Sequence, residues 1–363
     1  MNIREIARLC GVSTATVSRV LNDNPNVKQQ TREHVLNVMH REGYTPNAFA
    51  RGLGLDTMRM IGILCTDISD LYYAKAVSLI ESDLRSHGFD TLLCCTGHRL
   101  SDKKKYLELL LQKRVDAVVL VGSAFREAKD NSHIRQAAKQ VPVVIINGFV
   151  SIPNVYCVLC DEKEAMKQNV CLLAEHGHRE ILYVYDSMTY SGSQKLEGYK
   201  EGLSDCGLEC RPALMIKTEK DIDAAKAAVE DALRTNAGIS AILTSEDLLA
   251  VGAQKAADAL GQHLPLIGFN NSLYAQCATP ALSSVDNLLH SLCPTATSLV
   301  IDLLAGKEAP QRIMMSAKLV ERETGISVRV AENPLDCVAL GTGMVLENLD
   351  ELREVLDNDD SSL

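Results

Sequence analysis

An all-α headpiece followed by an α/β body of two doubly wound, parallel-sheet lobes is the fold class this sequence predicts. Three observations lead there. Residues 3–21 set two short helical faces on either side of Gly11. From Met60 onward, short runs that are apolar throughout alternate with amphipathic helices. Near Lys163 that alternation starts again from the beginning. Strands apolar on both faces need helices on both sides of their sheet, and a repeated series needs two such sheets.

The headpiece comes first in the chain. Ile3, Ile6, Ala7 and Leu9 mark one helical face, and Gly11 suits a turn with positive φ. Ser13 is a good N-cap for a second helix with apolar Ala15, Val17, Val20 and Leu21, which Asn22 to Pro25 bring to an end. A third helix, Gln29 to Glu42, offers Val35, Leu36, Val38 and Met39 to a small core. This is helix-turn-helix geometry, in which the second helix enters a major groove. Thr14, Ala15, Thr16, Ser18 and Arg19 are its small or polar positions. Small side chains allow close approach to base edges, and an arginine can donate two hydrogen bonds to a guanine. An ordinary helical hairpin would share the pattern as far as residue 42.

Two motifs narrow the choice. Val12 to Asn22 reads V-S-x-x-T-V-S-R-V-L-N, and Tyr44 to Leu53 reads Y-x-P-N-x-x-A-R-x-L. Over its first 60 or so residues the chain resembles the DNA-binding headpiece of the LacI/GalR family of bacterial transcription regulators. The resemblance implies a hinge that orders as a helix on DNA, with Asn47, Arg51 and Leu53 among its contacts and Leu53 wedged into the minor groove. Gly52 and Gly54 each weaken an isolated helix by roughly 1 kcal/mol, which suits a segment that folds when bound.

Charge supports this division. Residues 1–60 carry 8 Lys/Arg against 5 Asp/Glu, whereas residues 61–324 carry 27 against 33 and residues 325–363 carry 2 against 9. A basic head on an acidic body fits a DNA binder with a small footprint that relies on pairing. The sequence shows no 18-residue apolar run and no leading signal segment, so a soluble cytoplasmic protein without membrane contact is expected. The 12 cysteines are scattered, and the lone C-x-x-C, Cys157 to Cys160, lies in an apolar run without a second ligand pair. Structural thiols are expected there, with redox sensing or metal binding the alternatives, and the chain as a whole is expected to need no metal or cofactor.

In the body, strands are expected at Ile61–Cys65, Thr91–Cys95, Ala117–Val121, Val143–Asn147, Ile181–Tyr185, Leu214–Ile216, Ala241–Thr244 and Leu266–Phe269. Helices fall between them, Tyr73–His87 and Lys163–Glu175 among them. Two such lobes sharing a hinge form a cleft at the carboxyl ends of their strands.

The family resemblance extends through this body to about Thr324. Gly177–Arg179 matches G-H-R, Lys195–Tyr199 matches R-x-x-G-[FY], Ser245–Ala250 matches N-D-x-x-A and Ile267–Asn270 matches I-G-F-D. It implies a periplasmic-binding-protein-like body whose effector cleft is lined by Tyr72, Tyr73, Asn147, Lys195, Asp247 and Asn270, with Glu246 and Asn287 at further contact positions. Lys195 replaces the family's usual arginine and Asn270 its usual aspartate, so an effector cannot simply be copied from a relative. A sugar, sugar phosphate or nucleobase-like ligand fits these side chains.

No nucleophile elbow, zinc-binding H-E-x-x-H, Walker loop or dinucleotide fingerprint is present, so the sequence argues against an enzyme. The expected division is a headpiece at 1–46, a hinge at 47–58, an effector-binding and dimerisation domain at 59–324 and an acidic tail at 325–363. In that tail, residues 328–349 resemble the C-terminal segment of bacterial actin-like proteins of the MreB type, which suggests a passive gene-end appendage or, alternatively, a docking helix. Together these readings predict a homodimeric regulator, most simply a repressor, on palindromic operator DNA under small-molecule control, with a tetramer also open. A small-molecule-binding protein with an inactive headpiece is the alternative.

Overall fold

The computed structural model describes residues 2–21, 24–44 and 57–322. The hinge positions Asn47, Arg51 and Leu53 and the tail from residue 325 lie outside the described residues.

The headpiece has three helices: α1 (Ile3–Leu9), α2 (Thr14–Leu21) and α3 (Gln29–Arg41). Asn2 and Glu5 cap the start of α1 reciprocally. Gly11 takes φ +64°, and Ser13 Oγ accepts from Thr16 N at 3.1 Å at the start of α2. Ile6, Ala7, Val17, Val20, Val35, Val38 and Met39 form the core. Leu36, expected in that core, is 47 % exposed. Positions 35, 38 and 39 share one face of α3, and 36 lies about 100° around the helix from 35.

The first lobe holds β1 (Met60–Cys65), β2 (Asp90–Cys95), β3 (Ala117–Val121), β4 (Val143–Ile146), β5 (Val155–Cys160) and a late strand, β11 (Arg312–Met315). Their order is β2-β1-β3-β4-β5-β11, and every pairing is parallel. The second lobe holds β6 (Ile181–Tyr185), β7 (Met215–Lys217), β8 (Ala241–Thr244), β9 (Leu266–Phe269), β10 (Ser283–Asp286) and β12 (Lys318–Val320). Their order is β7-β6-β8-β9-β10-β12, with only β12 antiparallel.

Helices α4 (Leu71–Ser86), α5 (Leu100–Gln112) and α6 (Ser132–Ala138) belong to the first lobe. Helices α7 (Glu162–Glu175), α8 (Tyr190–Asp205), α9 (Ile222–Thr235), α10 (Asp247–Ala259) and α11 (Leu273–Cys277) belong to the second. Helix α12 (Leu289–Leu304) returns to the first lobe, where Leu292, Cys293, Ala296 and Val300 enter the core with Ile61, Ile63 and Val119.

The chain therefore passes between lobes three times: after β5, after β10 and between β11 and β12. Residues 312–320 form two short strands, one in each sheet, joined by Ser316 and Ala317. The strand expected from Leu214 starts at Met215, because Pro212 begins a 3-10 turn ending at Leu214. Cys157 and Cys160 point to opposite sides of β5, into different cores, so they share no ligand position. Among the described residues, no group of three His, Cys, Asp or Glu side chains is placed to hold a metal ion, and no helix is long and apolar enough to cross a membrane.

Candidate functional site

Side chains that follow the carboxyl ends of nine strands converge between the lobes around a cavity of about 490 Å³. The first lobe contributes Asp67, Asp70, Tyr72, Tyr73, His98, Ser123 and Asn147 to its wall. The second contributes Glu162, Asp186, Thr189, Lys195, Lys220, Ser245, Glu246 and Asn270. This is the crevice expected of open parallel sheets.

Tyr72 and Tyr73 open α4, whose N-cap is Asp70: its carboxylate accepts from Tyr72 N at 2.8 Å. The two rings meet edge to face, 5.5 Å between centroids. Burial pushes the Tyr73 phenol up to about 12 and holds that of Tyr72 well above its ordinary range, so both stay neutral O–H groups. The Tyr72 hydroxyl is buried and finds no partner among the described residues.

Asn147 directly follows β4, with φ 56°. Its Oδ1 accepts from Cys160 N at 2.9 Å and its Nδ2 lies 3.5 Å from Glu162 Oε1. Lys195 is buried in α8. Its ammonium donates to Ser245 O at 2.9 Å, lies 3.5 Å from Glu162 and stands 4.1 Å over the Phe269 ring. The lysine found in place of the family arginine is thus compensated within the wall.

Besides the approach of Asn147 to Glu162, the lobes touch across the cleft through three further sets of side chains. Lys220, in the loop after β7, reaches Asp70 at 2.5 Å and Glu246 at 2.5 Å. Ser123 Oγ donates to Thr189 Oγ1 at 2.9 Å, and the Arg126 guanidinium lies 4.9 Å from the Tyr190 ring centre. Burial lowers the Lys220 ammonium, but the carboxylates of Glu246 and Asp70 more than reverse this and hold it well above its ordinary range. Burial pushes Glu246 up to about 7, against the opposing pull of Lys220.

Six of the eight residues expected at the cleft line this cavity: Tyr72, Tyr73, Asn147, Lys195, Glu246 and Asn270. Asp247 and Asn287 do not. Asp247 is buried, with its Oδ1 accepting from Ser284 Oγ at 2.6 Å and its Oδ2 from Ser272 N at 2.6 Å; it ties the loop after β9 to β10 and α10 and borders only a smaller adjoining pocket. Asn287 lies behind Asn270 and donates to its Oδ1 at 3.0 Å. Sequence reasoning missed Asp70, Glu162 and Lys220. Asp70 had a signal as an N-cap ahead of an apolar helix. Lys220 had none, since its partners are 150 and 26 positions away.

On the headpiece, Thr14, Ala15 and Arg19 are exposed along α2, while Val17 and Val20 face inward. Thr16 and Ser18 are half-buried, and the Thr16 hydroxyl lies 2.9 Å from Ser13 Oγ. Thr16 and Arg19 border an open polar groove with Asn24, Asn26, Lys28 and Thr31.

A helix-turn-helix head with a small-residue face, carried on a hinged two-lobed body that encloses a polar cleft, defines a class: DNA-binding regulators that respond to a small molecule. Residues 2–47 match the model for bacterial regulatory proteins of the lacI family, and residues 58–330 match that for periplasmic binding proteins and the sugar binding domain of the LacI family. The chain belongs to the LacI family of bacterial transcription regulators, and these are regulators rather than enzymes.

The chain is 46 % identical over 330 residues to an HTH-type transcriptional regulator of Lachnoclostridium phytofermentans, covering 89 % of this chain and 99 % of that one. It is 30 % identical over 307 residues to catabolite control protein A of Priestia megaterium, covering 83 % and 91 %. Among solved structures, the Lac repressor dimer bound to operator and the anti-inducer ONPF superposes with a TM-score of 0.79 at 21 % identity, over 89 % of this chain and 98 % of that one. A CelR–cellobiose complex superposes at 0.66 and 24 % identity, over 90 % and 100 %. These two structures establish the fold.

Proposed function

We propose that this regulator acts in the cytoplasm as a homodimeric repressor on a palindromic operator, and that a neutral polyhydroxylated ligand of the sugar class controls it from the cleft. Thr14, Ala15 and Arg19 read major-groove edges, with Thr16 and Ser18 on the flank of the same helix and Asn47, Arg51 and Leu53 in the connecting segment. Tyr72 and Tyr73 present ring faces to the ligand, and Asn147, Glu246 and Asn270 exchange hydrogen bonds with its hydroxyls.

The observation that carries the ligand class is the charge of the wall. Six carboxylates (Asp67, Asp70, Glu162, Asp186, Glu219 and Glu246) face three ammoniums (Lys195, Lys217 and Lys220). Two of those ammoniums are already paired within the wall. A phosphate would meet net negative charge there, whereas hydroxyl groups can donate to the free carboxylate oxygens. A thermal-shift panel of neutral sugars, sugar phosphates and nucleobases tests this. A neutral sugar should raise the melting point and alter retardation of a selected operator, and a response confined to phosphorylated ligands refutes the assignment.

A further inference from the structure

Helices α7 and α8 pack in register, one rung every four residues. An added Cβ at Gly198 would strike the Lys163 carbonyl, and one at Gly202 would come within 2.9 Å of the Lys167 carbonyl and 2.7 Å of Val170 Cβ. Lys163 pairs with Glu201 at 2.8 Å and Lys167 with Asp205 at 2.6 Å, flanking the same seam. The next rung is a pair of thiols: Cys206 Sγ, at the end of α8, lies 3.1 Å from Cys171 Sγ of α7. Both side chains are partly exposed.

We propose that Cys171 and Cys206 form a reversible disulfide site on the second lobe, closed by oxidants of the peroxide class. The glycines bring the helices close enough for the last rung to be bonded with little backbone movement, and the partial exposure admits a small oxidant. A second close thiol pair among the described residues contrasts with it. Cys65 and Cys95 sit 3.8 Å apart on adjacent parallel strands, and Cys65 is wholly buried, its thiol pushed up to about 12 by that burial and by Cys95.

Burial and the neighbouring Cys206 push the Cys171 thiol up to about 11, and in the proposed chemistry Cys206, at the end of α8, attacks first. In the first step the Cys206 sulfur attacks hydrogen peroxide: an S–O bond forms, the O–O bond breaks and hydroxide leaves, taking the thiol proton as water. In the second step the Cys171 sulfur attacks the sulfenic sulfur: the S–S bond forms, the S–O bond breaks and the departing hydroxide takes the Cys171 proton. The two thiols lose one electron pair in total, peroxide is reduced, and two waters result. In a reducing cytoplasm such a bond is transient, as befits a sensor. It would pin α7 to α8, the helices that carry Glu162 and Lys195 to the cleft.

The full chain treated with hydrogen peroxide should lose two of its 12 titratable thiols. Peptide mapping without reductant should recover one crosslink, Cys171 to Cys206, and the melting point should rise by about 5 °C until dithiothreitol is added. Cys171→Ser should leave a sulfenic acid on Cys206 that dimedone traps, and Cys206→Ser should leave neither the adduct nor the crosslink. A crosslink between other cysteines, a crosslink between two chains, or twelve intact thiols after treatment would overturn the proposal.

Discussion

Lys220 of the second lobe and Asp70 of the first form an ion pair that spans the mouth of the cleft, 2.5 Å from nitrogen to oxygen. Asp70 also caps α4, the helix that presents Tyr72 and Tyr73. Lobe closure and the placement of the tyrosine pair therefore share one carboxylate.

Lys220→Ala removes the cation and leaves Asp70 and Glu246 facing each other uncompensated. The side chain is 37 % exposed, so solvent screening limits the cost to about 1–2 kcal/mol. The unliganded body should scatter X-rays as a more open particle, and ligand should compact it more than it compacts the parent.

Glu246 gives a pH signature. Its folded value, about 7, lies above the ordinary 4.5, so between those values the folded protein retains a proton that the unfolded chain has released. Its contribution to stability is present below about pH 4.5 and is lost as pH rises toward 7, at no more than about 1.4 kcal/mol per pH unit. Glu246→Gln should flatten that decline in denaturant melts across pH 4.5 to 7. An unchanged slope would remove Glu246 from the account.

Gly198→Ala places a methyl group against the Lys163 carbonyl, which belongs to the backbone of α7 and cannot rotate away. Denaturant melts should show a loss of about 3 kcal/mol. Gly207→Ala, where an added Cβ meets nothing within 4 Å, isolates the backbone cost of its φ of +66°.

Arg19→Ala should cost about 1–3 kcal/mol of operator binding and relax preference at a single base pair, as read by selection from a random-sequence pool. An unaltered consensus would remove Arg19 from direct readout.

Deletion of residues 326–363 tests the tail. As a passive appendage it should leave operator retardation and dimer mass unchanged, and loss of either would assign it a docking role.

How far the sequence reached depends on the range of the interactions. The headpiece was legible because its signals are local: Gly11 for the turn, Ser13 for the cap, and apolar residues at helical spacing. Even there Leu36 was misplaced, since only three-dimensional packing chooses which edge of an apolar stripe is covered. Most strands of both lobes were legible because parallel strands buried on both faces must be apolar runs, whereas β10, Ser283–Asp286, is not such a run and was not expected. The return helix α12 and the split of residues 312–320 between two sheets depend on which lobe each segment packs against, and no local pattern records that.

By itself the sequence determined the fold class and the face of α2 turned outward, because those follow from periodicity, caps and motifs within a few residues, while the family resemblance implied six residues of the cleft wall. Only the tertiary structure decided that Asp247 braces a loop, that Lys195 is already compensated, that Lys220 joins the lobes and that two thiols 35 positions apart meet. Each of those roles is set by a partner distant in the chain, and the free energy of a buried charge or polar group depends on the partner it finds there.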